Sequence, residues 1–439
     1  MIAALLALAA FLIYHFTVHT IRNSRPLGGA NVNVTHGNNA ESEASFAIDP
    51  AKPDVLFGAS NQLSTYRSTN GGRTWQQGAA PVVKEPVCIR GEPHAAADKQ
   101  REYLAFLASP TCSDELRPFL VVTSRASGAR SWEPPIRVAP PKWPYGYDDA
   151  PSFAADPQSG RLYLAWTRSL NERASAIVVS TSDDRAKTWS PPVIVAPAAG
   201  APHLSTIAVG PRGDVYVAGI DAGHGIWVAR SADRGKTFGA VQTAAPLRAN
   251  PSSNCAGQVN FSPLPTEETS CIGPNPTILA TKDGVAVVYD DVGANRTPDV
   301  FVTTLDGDLR PRSHAQVNPP DKGATQQFFP AAAVDAGTGV LWACWYDTTF
   351  DPHAHRAWFT CSASRDGKTW SPPERAGADP VHVSDLYTDI QGSTGFAPAL
   401  VADRGTAHAF WIGVNRTTFE QDIYTAALSE RKAFLTLQR

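Results

Sequence analysis

Carboxylate, histidine and tyrosine side chains recur in this sequence beside short apolar runs. Paired carboxylates can supply the acid and the base or nucleophile of glycoside hydrolysis, and tyrosine also serves as a nucleophile. The candidates for such catalytic roles are Glu92, Asp149, Asp290, Asp347, Tyr346 and Tyr387. The candidates for ligand binding are Glu43, His94, Asp148, His203 and Asp389.

The same residue types also support other interpretations. A ring of oxygen ligands could bind Ca²⁺, and with His94 and His203 a softer metal. Polar residues that cap strand ends would instead form a solvated rim or a surface that only binds. We therefore predict no cofactor, with Ca²⁺ as the alternative, and no metal ligand is assigned.

A repeated octapeptide indicates which elements position these residues. Copies end at Trp75 (S-T-N-G-G-R-T-W), Trp189, Phe238 and Trp370, and a degenerate copy ends at Trp132. In such a sequence Asp or Asn folds back on a tight turn, Gly accepts a positive φ, and the aromatic residue packs between neighbouring sheets. The residues assigned to this structural turn are Ser68, Asn70, Gly72, Trp75, Ser182, Asp184, Trp189, Ser231, Asp233, Gly235, Phe238, Asp366, Gly367 and Trp370.

A second repeated element gives the number of units. Seven short runs, such as A-S-F-A-I-D ending at Asp49, are each followed by a β-rich segment such as L-Y-L-A-W. This pattern predicts an all-β fold, a single β-propeller with seven blades of four antiparallel strands, with six blades as the alternative. Residues Asn31 to Thr35 are expected to add a strand to the last blade and close the ring.

The octapeptide resembles the Asp box of sialidases and other BNR-repeat propellers. The resemblance covers nearly the whole chain from Ala40 onward as fold. It implies an exo-α-sialidase-like glycoside hydrolase in which three arginines clamp a sialic acid carboxylate, an aspartate is the acid/base, and a tyrosine paired with a glutamate is the nucleophile. The matches to that set are faint: Arg90 near Glu92 in C-I-R-G-E-P, and Tyr387 in D-L-Y-T-D. The R-I-P-like arginine motif of the family is not found.

Three functions therefore compete, and whether the protein is an enzyme stays open. The first is a hydrolase for sialylated or related glycans, which predicts paired carboxylates beside convergent arginines. The second is a non-catalytic propeller that binds a glycan or a cell-surface protein on a shallow aromatic face. The third is a polysaccharide lyase, for which a His/Tyr pair beside a cation or arginine would be typical.

Composition and cysteine spacing indicate the compartment. A net charge of −3 without a Lys/Arg run argues against nucleic acid as a partner. Residues 1–27 read as an apolar helix, either a signal peptide or a membrane anchor, before a propeller at 28–439. The cysteines form three local couples, Cys88 with Cys112, Cys255 with Cys271, and Cys344 with Cys361. Three disulfides would place the protein outside the cytoplasm, where it would be secreted, periplasmic or anchored facing outside. We expect a monomer, with only the N-terminal segment in a membrane.

Overall fold

Seven antiparallel sheets follow one another along the chain in the computed structural model. It describes residues 31–37, 41–82, 88–112, 117–139, 146–171, 174–198, 205–221, 225–248, 274, 276–295, 297–320, 325–383, 398–415, 417–418 and 420–435. The first strand of each sheet contacts the first strand of the next, and the seventh sheet returns to the first. The predicted seven-bladed propeller is confirmed. The predicted N-terminal helix lies outside the described residues, and none of the described helices is long and apolar enough to cross a bilayer.

Each blade is a meander of four strands, numbered here in chain order. Blade 1 contains β2 (Ser45–Asp49), β3 (Lys52–Ala59), β4 (Thr65–Ser68) and β5 (Gln76–Gly78). Blade 2 contains β6 (Cys88–Ala97), β7 (Arg101–Ser109), β8 (Phe119–Ala126) and β9 (Ile136–Arg137). Blade 3 contains β10 (Asp148–Ala155), β11 (Leu162–Asn171), β12 (Ala174–Ser182) and β13 (Val193–Ala198).

The remaining blades keep this order with two local variations. Blade 4 contains β14 (Thr206–Val209), β15 (Val215–Asp221), β16 (Gly225–Ser231) and β17 (Gln242–Ala245). Blade 5 contains β18 (Thr277–Thr281), β19 (Gly284–Val292), β20 (Pro298–Asp306) and β21 (Pro311–Gln316). Blade 6 contains β22 (Gln327–Val334), β23 (Leu341–Asp347), β24 (Arg356–Ser364), β25 (Glu374–Arg375) and an extra strand, β26 (Val381–His382), on β24. Blade 7 contains β27 (Ala399–Asp403), β28 (Thr406–Val414) and β29 (Gln421–Ser429), followed by α1 (Glu430–Leu435).

The fourth strand of blade 7 comes from the other end of the chain. β1 (Val32–Asn33) pairs antiparallel with β29, as the sequence predicts for this segment. Asp422, which is fully buried on β29, accepts hydrogen bonds from the Asn33 amide (2.7 Å), the Thr35 hydroxyl (2.6 Å) and the Gly37 backbone N–H (3.0 Å). These bonds fix the strand that closes the ring.

The predicted octapeptide turns join the third strand of a blade to the fourth. In blade 4 the Ser231 hydroxyl donates to Asp233 at 2.7 Å and accepts the Gly235 N–H at 2.8 Å. The other carboxylate oxygen of Asp233 accepts the Thr237 hydroxyl at 2.6 Å, and these bonds lower the pKa of Asp233 to about 2. Blades 3 and 6 repeat the Ser–Asp contact through Ser182 with Asp184 and Ser364 with Asp366, while Asn70 replaces the aspartate in blade 1.

The core lies between blades, because one cluster of buried apolar side chains fills each joint. The octapeptide aromatics pack in these joints as predicted. Trp75 of blade 1, for example, contacts Phe410 of blade 7 edge-on at 5.7 Å between ring centroids. Two of the predicted disulfides, Cys88–Cys112 and Cys344–Cys361, are confirmed and indicate an extracytoplasmic protein. Cys255 and Cys271 lie outside the described residues.

Replacing two glycines in equivalent turns by alanine distinguishes the cost of a positive φ from the cost of a clash between the new Cβ and a neighbouring side chain. Gly235 has φ +79°, and an added Cβ would lie 3.0 Å from a Thr181 methyl group; Gly128 has φ +85° with nothing within 4 Å. We expect Gly235→Ala to lower the free energy of unfolding by about 2–3 kcal/mol, and Gly128→Ala by only about 1 kcal/mol. Urea denaturation measures both, and equal losses would contradict the assigned packing.

Removing the carboxylate that fixes β1 should open the ring. Asp422→Ala leaves four donors without their acceptor, the three above and the Asn415 amide at 2.8 Å, so the free energy of unfolding should fall by about 3 kcal/mol or more. Asp308→Ala, an exposed carboxylate paired only with exposed or partly exposed arginines, should change it by less than about 0.5 kcal/mol. Thermal or urea unfolding at neutral pH compares the two, and similar stabilities would show that Asp422 does not hold the closing strand.

Candidate functional site

One face of the ring collects the starts of the first strands and the ends of the second strands. The pairing of Asp148 with Arg168 and of Gln327 with Asp347 shows this directly, because each pair joins the start of a first strand to the end of a second. The octapeptide turns lie at the opposite ends of the blades. The candidate residues that the structure describes lie on this face, which we call the channel face.

The backbone is unusual where several first strands begin. Glu43, Glu92, Ala150 and Phe329 all have positive φ, between 48° and 54°, although none is glycine. Strand pairing is irregular just beside three of them, in β6–β7, β10–β11 and β22–β23. Such conformations cost of order 1–3 kcal/mol each and persist only where the surroundings fix them.

Carboxylates from the preceding blade hold these strained residues. Glu43 accepts the backbone N–H of Glu92 at 2.6 Å, and Glu92 accepts that of Ala150 at 2.9 Å. Asp290 accepts the N–H of Phe329 at 3.0 Å in the same way. A carboxylate of one blade thus fixes the first strand of the next.

Three carboxyl groups meet on blades 1 to 3: Glu43, Glu92 and Asp149, which we call the acidic cluster. All three are half-buried. Burial and the charges of Asp149 and Glu43 raise the pKa of Glu92 well above its usual range, and protonated Glu92 donates a hydrogen bond to Asp149. Like charges this close favour one shared proton. The cluster can therefore keep a carboxylic acid protonated at a pH above its usual range, as suits a general acid.

Two further side chains flank the acidic cluster. His94 lies two residues beyond Glu92 on β6, and burial lowers its pKa to about 4, so its imidazole is uncharged at neutral pH. Tyr147 is 38% exposed, and burial together with the charge of Asp149 raises its pKa. Tyr147 was not among the residues predicted from the sequence, although its place in Y-G-Y-D-D beside two acidic residues could have indicated it.

Asp148 serves a different purpose from its neighbour Asp149. It is fully buried, and it pairs with Arg168 through two bonds of 2.7 and 2.9 Å and with the Trp166 indole N–H at 2.8 Å. Arg168 also donates to the Ala139 carbonyl. This network fixes the start of β10, and so the position of Asp149, while Asp148 itself is enclosed by the protein.

The other predicted catalytic residues lie in blades 5 and 6, across the ring from the acidic cluster. Asp347 is almost completely buried, accepts bonds from Gln327 and Thr349, and has its pKa raised by burial. Tyr346 is fully buried, and its hydroxyl both donates to and accepts from the backbone of Ile412 in blade 7. Tyr346 thus connects blade 6 to blade 7, and Asp290 connects blade 5 to Phe329 of blade 6, whereas Asp347 is bonded within its own blade.

Some predicted residues cannot be placed, and no metal centre emerges among those that can. His203, Tyr387 and Asp389 lie outside the described residues. Within the described part of the chain, no group of three or more His, Cys, Asp or Glu side chains is arranged to hold a metal ion. Arg90, the predicted partner of Glu92, donates to the Ser109 hydroxyl and to the Thr111 carbonyl within its own blade.

The raised pKa of Glu92 has a consequence for stability. The folded protein binds this proton more tightly than the unfolded chain, so the stabilisation is present at low pH and is lost as pH rises through the raised pKa. Glu92→Gln should therefore unfold at higher urea than the wild type at pH 7, by about 1–2 kcal/mol, with the gap closing below about pH 4. Asp183→Asn, an exposed residue of an octapeptide turn, is the control. A gap independent of pH would contradict the assigned proton.

Comparison with known proteins places this geometry in a wider fold. No family model matches the sequence, and no curated protein is similar to it at a significant level. The solved α-L-arabinofuranosidase of Fusarium graminearum, in complex with arabinobiose, is 12% identical with a TM-score of 0.53; the match covers 92% of this chain and 98% of that one.

Two other solved structures are similar at lower TM-scores. A protein of unknown function from Dyadobacter fermentans is 14% identical over 91% of this chain and 98% of its own, with a TM-score of 0.49. Trypanosoma rangeli sialidase is 12% identical over 73% of this chain and 56% of its own, with a TM-score of 0.43. In fold, the chain is a seven-bladed β-propeller similar to the solved arabinofuranosidase.

Proposed function

We propose that this protein is a glycoside hydrolase whose active site is the acidic cluster on the channel face of blades 1 to 3. The observation that carries the proposal is the meeting of three half-buried carboxyl groups, in which burial and two neighbouring carboxylates raise the pKa of Glu92. A carboxylic acid that keeps its proton near neutral pH can protonate a leaving-group oxygen, the first requirement of glycosidic cleavage.

The three carboxyl groups have different parts in this proposal. Asp149 is in hydrogen-bonding contact with Glu92, which is closer than the about 5–5.5 Å of a retaining pair or the about 6.5–9.5 Å of an inverting one. Asp149 therefore holds the proton on Glu92 and acts through it. Glu43, the remaining member, is the carboxylate for attack or for activating water. Tyr147 offers a partly exposed ring beside Asp149 on which a sugar can stack.

The charge of the cluster favours a neutral sugar over a sialylated one. A sialic acid carboxylate needs arginine partners, whereas the charges that act on Glu92 are those of two carboxylates. Arg168 and Arg90, which lie nearby in sequence, are bonded within blades 3 and 2. The likeness to an arabinofuranosidase is compatible with a neutral substrate and adds only fold similarity. The same argument disfavours a lyase, which acts on uronates.

Hydrolysis of fluorogenic glycosides tests the proposal. We expect the wild type to cleave a neutral substrate from a panel of arabinofuranosides, xylosides, galactosides and glucosides, and to leave a sialoside intact. Glu92→Gln should lower kcat/KM by about 10²- to 10⁴-fold because it removes the proton donor, while Asp183→Asn on the opposite face should match the wild type. Activity should fall as pH rises through the raised pKa of Glu92.

The other outcomes decide between the competing functions. Cleavage of the sialoside alone would contradict the proposal of a neutral substrate. Activity that survives Glu92→Gln would contradict the assignment of Glu92 as the acid. No turnover of any glycoside, with glycan binding retained and lost only on substitution of Tyr147, would identify a binding propeller. Far-UV circular dichroism and unfolding of each variant separate loss of activity from loss of fold.

A further inference from the structure

A cleft separate from the acidic cluster opens between blades 4 and 5. Its volume is about 400 Å³, within the range of small-molecule sites. One wall is the end of β17 and the chain after it, from Ala244 to Arg248, and the other is formed by side chains of β19, β20 and β21. No residue of the acidic cluster lines it, so its role is independent of the proposed hydrolase activity.

The inner wall of this cleft is aromatic. Tyr289 and Phe301 are buried, and the imidazole of His314 stacks on Phe301 with ring centroids 5.5 Å apart and an interplanar angle of 11°. The hydroxyl groups of Tyr289 and Thr303 both lie 3.2 Å from Nδ1 of His314. These contacts fix the orientation of the imidazole and present a flat surface suited to a ring.

Each wall also carries an exposed arginine. Among the described residues, Arg248 and Arg312 form no ion pair, whereas three other arginines of these two blades do. Arg212 and Arg230 pair with Asp214, and Arg310 pairs with Asp308. Both side chains are exposed at the cleft.

The position of Arg248 is set by a buried carboxylate. Asp291 accepts the backbone N–H of Arg248 at 2.9 Å and that of Val292 at 2.7 Å. Burial and, after it, the positive charge of Arg248 lower the pKa of His314, and the second effect places the guanidinium near the imidazole. With a neutral imidazole and one carboxylate already accepting two bonds, the two guanidinium groups leave the cleft with a net positive charge.

We propose that this cleft binds a small ligand that carries an anionic group on a ring. The guanidinium groups of Arg248 and Arg312 would bind the carboxylate, sulfate or phosphate group, since arginine forms bidentate charge-assisted bonds with such groups. The aromatic wall of Tyr289, Phe301 and His314 would contact the ring. A uronic acid and a sugar phosphate both have this chemistry.

Binding measured by saturation-transfer NMR and calorimetry on the whole protein tests the proposal. The probes are D-glucuronate, glucose 6-phosphate, glucose and inorganic sulfate. We expect at least one of the two anionic sugars to bind and glucose not to bind, and the better anionic sugar distinguishes a carboxylate from a phosphate ligand. Arg248→Ala and Arg312→Ala should each weaken binding about 10-fold or more, because each removes a charge-assisted contact.

Matched controls separate the cleft from general charge effects. Arg310→Ala removes an exposed arginine of the same hairpin that is paired with Asp308, and it should leave binding unchanged. Phe301→Leu tests the ring contact. The proposal would be overturned if neither anionic sugar binds, or if binding survives both arginine substitutions. If sulfate binds as tightly as the sugars, the proposed contact with the ring of the ligand is wrong. Glu92→Gln should bind like the wild type, so failure of the proposed hydrolase leaves this test intact.

Discussion

The structure depends on joining its seventh sheet to its first. Each blade has two large apolar faces, and each face is buried only when the neighbouring blade covers it. An open series of blades would therefore leave one apolar face exposed at each end. β1 completes blade 7 from the opposite end of the chain, and Asp422 binds the residues on both sides of that strand. Among the described residues, this buried carboxylate accepts hydrogen bonds from neutral donors, which are the amides of Asn33 and Asn415, the Thr35 hydroxyl and the Gly37 backbone N–H.

Carboxylates also connect blades on the channel face, where structure and chemistry use the same interaction. Glu43 and Glu92 each accept a backbone N–H from the following blade, and that bond fixes a residue in a conformation it would otherwise avoid. Glu43 and Glu92 thereby come close together, beside Asp149. Burial, together with the charges of these two neighbours, raises the pKa of Glu92.

The sequence predicted the features that repeat. The octapeptide turns, the seven units, the closing strand and the two described disulfides all depend on local patterns, and the structure confirms them. The residues of the acidic cluster could be chosen as candidates from the sequence, because Glu43, Glu92 and Asp149 occupy equivalent positions in successive repeats. What the sequence could not reveal is how partners are chosen across a joint. Asp347 and Tyr346 end β23 as predicted. Asp347 is bonded to Gln327 within blade 6, whereas the burial of Tyr346 against Ile412 of blade 7 depends on packing between blades. The cleft of Arg248 and Arg312 is likewise a property of two blades.

The separation in sequence of these contacts bears on how the chain is made. The described disulfides join cysteines 24 and 17 residues apart, so each can form inside a single blade as soon as that blade leaves the ribosome or the translocon. The contact of Asn33 with Asp422 spans 389 residues. One face of the first blade therefore stays exposed throughout synthesis. The nascent chain can associate with other chains until its last sheet is synthesised and packs against the first blade.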